Sequence, residues 1–205
     1  MMDQLNPALI ADGVLCLLGA FLAAAVCSDV QCRRIPNKLI LAGLCAGCLL
    51  NGALPEGNGF LSALPGAAGI GAALAGAAVG FCLMLPMYLL RALGAGDVKL
   101  MAMTGAFLGP DMIARVALAT FIAGGVLSLL VAIRAGRLRC LADNLRTMLL
   151  AGYFKLAMNE MPSASSLPDS AGKMPYGVAI AAGTLVCIAL KRGGFELPWF
   201  ASVFH

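Results

Sequence analysis

The stretch Leu93-Gly94-Ala95-Gly96-Asp97-Val98-Lys99-Leu100 sets a carboxylate in a glycine-containing turn between two strongly apolar runs. An ionisable residue in such a place is a functional hypothesis by default, because burying it in a bilayer costs free energy. We expect Gly94 and Gly96 to let the backbone bend here, and such a break at membrane depth is tolerated where it packs in protein or lines a wet cavity. Asp97 is therefore predicted to face water inside a helical bundle.

The composition of the whole chain is that of a polytopic membrane protein. Of its 205 residues, 61% are hydrophobic and 12% are charged, which is far more apolar than an ordinary soluble domain. Counting apolar runs predicts six spans, at residues 9–27, 39–54, 66–90, 98–109, 113–133 and 175–190. No soluble domain is left over, so the sequence predicts an all-α fold, with about six transmembrane helices in a single membrane domain, residues 1–205.

The basic residues predict how these spans are oriented. With the N-terminus outside, eleven of the 14 lysines and arginines fall in inner loops, as the positive-inside rule requires. The other three are Arg115, Lys191 and Arg192. The inner segment from Arg134 to Lys173 has leucines at helical spacing and predicts an amphipathic helix on the inner leaflet, either resting there or gating a substrate helix.

The chain offers little support for a metal, a cofactor or a nucleic-acid partner. Eight cysteines fall mostly within the spans, and Cys45-Ala46-Gly47-Cys48 has no second pair, whereas a structural zinc site needs four ligands. The net charge of +4 is explained by topology and contact with lipid headgroups. We therefore predict no cofactor and no metal, and the lipid bilayer rather than nucleic acid as a partner.

A second carboxylate is predicted at the same end of the bundle as Asp97. The apolar run at 98–109 covers roughly 18 Å as a helix, less than the roughly 30 Å of hydrocarbon, which sinks Asp97 below the inner surface. Asp29 follows the first, inward-running span and reaches the same side.

Two aspartates in a low dielectric are expected to share one proton. The ionised carboxylate then takes a proton from a water that attacks a peptide carbonyl, while the protonated one polarises the carbonyl oxygen. This is the chemistry of an aspartic protease, and it uses no metal. The residues alone leave a structural alternative open, in which Asp29 is an interfacial residue near Arg33 and Asp97 caps the following helix.

Three motifs, in order along the chain, resemble the signature of the type IV prepilin peptidases, a family of GxGD aspartyl proteases. They are Asp29 with Arg33-Arg34-Ile35-Pro36-Asn37-Lys38-Leu39, then Gly94-Ala95-Gly96-Asp97-Val98-Lys99-Leu100, then Met174-Pro175-Tyr176-Gly177.

The resemblance implies roles for individual residues. Asp29 and Asp97 would be the catalytic pair, and Gly94 and Gly96 the flexing glycines. The matching positions that would support them are Pro36, Asn37, Lys38, Lys99, Pro175, Tyr176 and Gly177.

The resemblance also implies a substrate and a location. The expected partners are prepilins or pseudopilins, cut just after a glycine that ends their basic leader, on the cytoplasmic side of the bacterial inner membrane. The long form of the family carries an insert with two C-x-x-C pairs after the first span. Here that connection is about ten residues with Cys32 alone, so the chain is similar to the short form that serves tight-adherence (Flp) pili or to archaeal preflagellin peptidases, and we expect no methyltransferase activity.

Three other readings compete with this one. A presenilin-like protease shares the Gly-x-Gly-Asp turn but expects a Tyr-Asp partner motif, which Ser28-Asp29 does not supply. A small proton- or cation-coupled transporter would use both aspartates to relay charge, although their position at one end of the bundle disfavours a relay across it. A non-catalytic pilus assembly factor would tolerate asparagine at both positions. The oligomeric state is not predicted.

Overall fold

The computed structural model describes residues 6–62, 65–90, 93–134, 146, 150 and 176–194. They form five helices: α1 Pro7–Cys32, α2 Asn37–Ala53, α3 Ile70–Leu89, α4 Ala95–Arg134 and α5 Tyr176–Arg192. The described residues contain no strand beyond an isolated bridge between Glu56 and Ala67, which confirms the all-helical prediction.

The described helices include three that are long and apolar enough to cross a membrane. These are α1, α3 and α4 as far as Val131, while α2 is a shorter apolar helix. The chain is therefore a membrane protein with transmembrane helices. Whether it has six spans, as the sequence predicts, stays a prediction.

Helix α4 consists of two helical parts that fold back on each other. Gly109 has φ 80° and ψ 173°, outside the helical region, and Pro110 follows it. A Cβ built on Gly80 of α3 would lie 2.7 Å from the Met101 carbonyl oxygen and 3.0 Å from the Ile113 side chain. In one straight helix these two residues would be roughly 18 Å apart, so the chain reverses between them. Residues 95–108 and 110–134 are thus the two arms of a helical hairpin.

Small residues let α3 pack directly against the first arm of α4. The backbones of Gly76 and Gly105 are in contact, and a Cβ on Gly76 would also lie 2.9 Å from the Cα of Gly109. Close approach of this kind is how membrane helices associate without a hydrophobic driving force. Not every glycine of α3 packs in this way, because Gly71 has no neighbour within 4 Å at its Cβ position.

Asn51 joins α2 to the far end of the first arm. Its side-chain amide donates to the carbonyls of Ala106 at 2.9 Å and Gly47 at 3.1 Å, and its Oδ1 accepts from the Ala68 amide at 3.1 Å. The Ala106 carbonyl needs this donor, because its partner four residues on would be Pro110, which has no N–H. Asn51 is 3% exposed, so the end of the short arm is closed by a buried side chain.

Two predicted boundaries are wrong. The third helix starts at Ile70 rather than at residue 66, because Ala67 instead exchanges hydrogen bonds with Pro55 and Gly57 in the preceding loop. The first helix continues to Cys32, so Asp29 lies inside α1 rather than after it. The predicted amphipathic helix between Arg134 and Lys173 falls largely outside the described residues.

Candidate active site

Asp29 and Asp97 come together at one end of the bundle, from two different helices. Asp29 lies in the last turn of α1 and Asp97 in the first turn of α4. Each residue is buried at 9% exposure, and the two carboxylates are close enough to repel each other electrostatically. The predicted pairing of these two groups in space is therefore present in the structure.

The Asp97 carboxylate is held by the start of its own helix. Its Oδ2 accepts from the Gly94 amide at 3.0 Å, and its amide donates to the Gly94 carbonyl at 3.1 Å. Asp97 stands three residues after Gly94, the position from which a side chain closes the reciprocal half of a capping box. Asp97 therefore caps its own helix, as the structural alternative expects. The cap holds one oxygen of the carboxylate, Oδ2, and does not involve the other.

The Asp29 carboxylate is held by the beginning of another helix. Its Oδ2 accepts a hydrogen bond of 2.9 Å from the Gly177 amide in the first described turn of α5. A Cβ on Gly177 would lie 2.9 Å from this same oxygen, so a glycine is needed for the carboxylate to approach the backbone so closely. The late Pro-Tyr-Gly motif therefore contacts the site directly through its glycine.

Each carboxylate thus sits at the N-terminal end of a helix and uses one oxygen to accept a backbone N–H. The positive end of the helix dipole stabilises a negative charge there. Among the described residues, neither Oδ1 accepts a hydrogen bond. The arrangement leaves one oxygen of each aspartate for a water or a peptide carbonyl.

Gly94 and Gly96 do not use the left-handed backbone that glycine makes accessible. Neither has a positive φ, and Gly96 lies within the first turn of α4. A Cβ on Gly94 would lie 3.3 Å from Asp97 Oδ2, and one on Gly96 would lie 3.4 Å from the Ile35 side chain. A side chain at position 94 would therefore be tight against the carboxylate, whereas one at position 96 would make ordinary contact with the α1–α2 connection.

That connection is fastened to the start of α4. Lys99 Nζ of α4 donates to Oδ1 of Asn37, the first residue of α2, at 3.0 Å. The Ser28 hydroxyl of α1 donates to the Arg34 carbonyl in the connection at 2.8 Å. Pro36 precedes α2 and its carbonyl accepts the first amides of that helix. Lys38 is exposed, and Pro175 lies outside the described residues.

Tyr176 is placed beside the pair by the second arm of α4. Its side chain is partly buried and interacts electrostatically with Asp97. A Cβ on Gly124 would lie 2.6 Å from the Tyr176 hydroxyl, so this glycine opens the space that the ring occupies. The sequence alone predicts no role for Gly124 or Ile35. Ile35 is part of the motif that begins at Arg33, whereas Gly124 carries no signal besides its small size.

Comparison with known proteins decides the family. The profile of the type IV leader peptidase family matches residues 16–129, which is more than half of the chain. The chain belongs to the type IV leader peptidase family. A search of curated proteins and one of solved structures gave no match.

Membership of the leader peptidase family confirms the recognised resemblance and makes the chain a peptidase of the leader type. The matched region contains both aspartates and the Gly94 to Asp97 turn, and it ends before Tyr176. The contact between Gly177 and Asp29 therefore adds a third part of the chain to the site.

The polar groups at the pair are two carboxylates and the backbone amides that donate to them. In the part of the chain that the structure describes, no cluster of three or more histidine, cysteine, aspartate or glutamate side chains is assembled. Two carboxylates with backbone donors are instead the groups that activate water in aspartic proteases.

Proposed function

We propose that this leader peptidase is an aspartic endopeptidase that removes the basic leader of type IV prepilin-like proteins, with Asp29 and Asp97 as its catalytic residues. The observation that carries the proposal is the meeting of two buried carboxylates from α1 and α4, each anchored through one oxygen by a helix N-terminus. Membership of the family supports a hydrolase over the transporter and the assembly factor.

The pair works with one proton between the two carboxylates. The ionised aspartate takes a proton from water, and the hydroxide oxygen bonds to the carbonyl carbon of the scissile peptide. The protonated aspartate gives its proton to the carbonyl oxygen, forming a tetrahedral intermediate. When the intermediate collapses, the C–N bond breaks and a proton passes to the leaving amine. The helix N-termini stabilise the charge that stays on the pair throughout.

The charge distribution supports a cytoplasmic active site in the bacterial inner membrane. Arg33, Arg34, Lys38 and Lys99 all lie at the end of the bundle that holds the aspartates, which the positive-inside rule assigns to the cytoplasm. A prepilin presents its basic leader on that side and its hydrophobic helix in the bilayer. The short first arm of α4 holds the pair beneath the inner surface, near where these two parts of the substrate join.

We propose peptidase activity without N-methylation. Four residues, 33–36, connect α1 to α2, and this connection is occupied in packing against Gly96 and α4. It does not contain the cysteine-rich insert of the long-form enzymes.

The test is cleavage of a co-expressed prepilin, followed by its mobility shift and by sequencing of the new N-terminus. Asp29→Asn and Asp97→Asn keep size and polarity but cannot exchange the proton, and Glu56→Gln is a matched carboxylate-to-amide control in an exposed loop. We expect the wild type and Glu56→Gln to cleave after the glycine that ends the leader, and neither aspartate variant to cleave although both accumulate in the membrane. Cleavage by either variant would show that the pair is not the catalytic centre.

A further inference from the structure

A groove away from the aspartates runs between the second arm of α4 and α5. It has a volume of about 290 Å³ and is lined mainly by apolar side chains, among them Met112, Leu118, Ile122, Val186 and Leu190. Leu118, Ile122 and Val186 are 44%, 61% and 51% exposed. In a membrane protein, side chains of this kind face lipid tails, so the groove opens to the bilayer.

Gly183 lines the groove at a point where α5 and the second arm of α4 are close together. A Cβ on Gly183 would lie 2.7 Å from both the amide nitrogen and the hydroxyl of Thr120. Because Gly183 has no side chain, α5 packs directly against α4 at this point. The cleft above it has the shape and lining that suit part of a hydrocarbon chain.

The groove ends in two cationic side chains, one from each wall. Arg115 of α4 and Lys191 of α5 both line it, and both are partly buried. The same two residues line an adjoining polar pocket of about 280 Å³, together with Asn58 and Asp111. Asp111 is exposed to solvent, and Lys191 also lines a further pocket beside Asp12.

We propose that this composite cavity binds one anionic phospholipid. An acyl chain lies in the apolar groove, the phosphate lies between Arg115 and Lys191, and a glycerol headgroup enters the polar pocket beside Asn58. Arginine and lysine are the residues that recognise phosphate. The site lies at the end of the bundle opposite the aspartates, so its occupancy is separate from the proposed catalysis.

The experiment measures lipid retained by the purified, full-length protein, using native mass spectrometry. Dioleoyl phosphatidylglycerol is compared with dioleoyl phosphatidylcholine, which has the same chains and no net charge, and with glycerol phosphate, which has no chains. The variant Arg115→Gln/Lys191→Gln removes both cations, and Ala119→Phe fills the groove. Arg134→Gln, at the opposite end of α4, is the matched control for loss of a basic residue.

We expect one phosphatidylglycerol per chain, retained about tenfold better than phosphatidylcholine. The double variant should lose this preference, Ala119→Phe should retain neither lipid, and Arg134→Gln should behave as the wild type. Equal retention of the two lipids by the wild type overturns the proposal without any variant. Binding of glycerol phosphate as tightly as the lipid would also overturn it, because the site would then serve free phosphate.

Discussion

At the scale of single residues, the site depends on how closely a carboxylate approaches backbone amides. Asp29 accepts from Gly177 and Asp97 accepts from Gly94, at 2.9 Å and 3.0 Å. Both donors are glycines with the carboxylate within van der Waals distance of the missing Cβ. The glycines of the site therefore set how closely each carboxylate approaches the backbone.

Gly177→Ala should reduce cleavage by roughly 10- to 100-fold while the protein still accumulates. The new Cβ would lie 2.9 Å from Asp29 Oδ2, and displacing a reacting group by a fraction of an ångström or more costs rate on this scale. The measurement is the initial rate of prepilin cleavage in membranes. Gly13→Ala is the control, because Gly13 also lies in a helix but has no neighbour within 4 Å; a full rate for Gly177→Ala would contradict the proposed placement of Asp29.

Asn51→Ala should destabilise the protein by about 2 to 4 kcal/mol, because the buried Ala106 carbonyl would lose its donor and the Ala68 amide would lose its acceptor. Asn51→Asp keeps the acceptor for Ala68 but loses the donor for Ala106, and it should be no more stable than the alanine variant. Thermal unfolding in detergent checks both. A melting temperature equal to that of the wild type would show that Asn51 does not close the short arm.

At the scale of helices, the sequence predicted the break in α4 but not how the site is assembled around it. Gly109-Pro110 follows a run too short to span a bilayer, and this spacing alone indicated two separate segments. The roles of Gly94 and Gly96 could not be predicted, since glycine in a sequence does not show whether it supplies a bend or space for a neighbour. The side chains next to these two glycines are those of Asp97 and Ile35, and tertiary packing brings Ile35 there.

Gly105→Ala tests the close packing of α3 on the first arm of α4. A Cβ there would overlap the backbone of Gly76, which cannot move as a side chain would. We expect a loss of about 1 to 3 kcal/mol in unfolding free energy, the usual cost of overpacking. Gly71→Ala, in α3, is the control, because its Cβ position has open space and the change should be neutral or slightly stabilising. Equal stability of the two variants would contradict the packing.

At the scale of the whole molecule, the described helices have two chemically different ends. The aspartates and the Asn37–Lys99 hydrogen bond lie at one end, and the Arg192–Asp12 ion pair lies at the other. The sequence predicted this division from charge and from the order of the apolar runs, because both are local properties of the chain. The contact of Gly177 with Asp29 joins residues 148 apart, and residue order alone did not show which atoms would meet.

Labelling with a membrane-impermeant maleimide tests the orientation. Cys32 is exposed at the aspartate end, and Glu56→Cys provides a thiol in the exposed loop at the other end. In a chain whose other cysteines are replaced by alanine, we expect labelling of position 56 in intact spheroplasts and of Cys32 after the membrane is opened. Labelling in the reverse order would place the aspartates outside the cytoplasm.

The most direct test of the catalytic pair is the rate of prepilin cleavage by purified enzyme carrying Asp29→Asn, Asp97→Asn or both. Residues that act as one unit show non-additive losses. We predict that each single variant loses about 10³-fold or more and that the double variant is no slower than either. Independent losses that multiply in the double variant, or a single variant that retains substantial activity, would contradict the account of two aspartates sharing one proton to activate water.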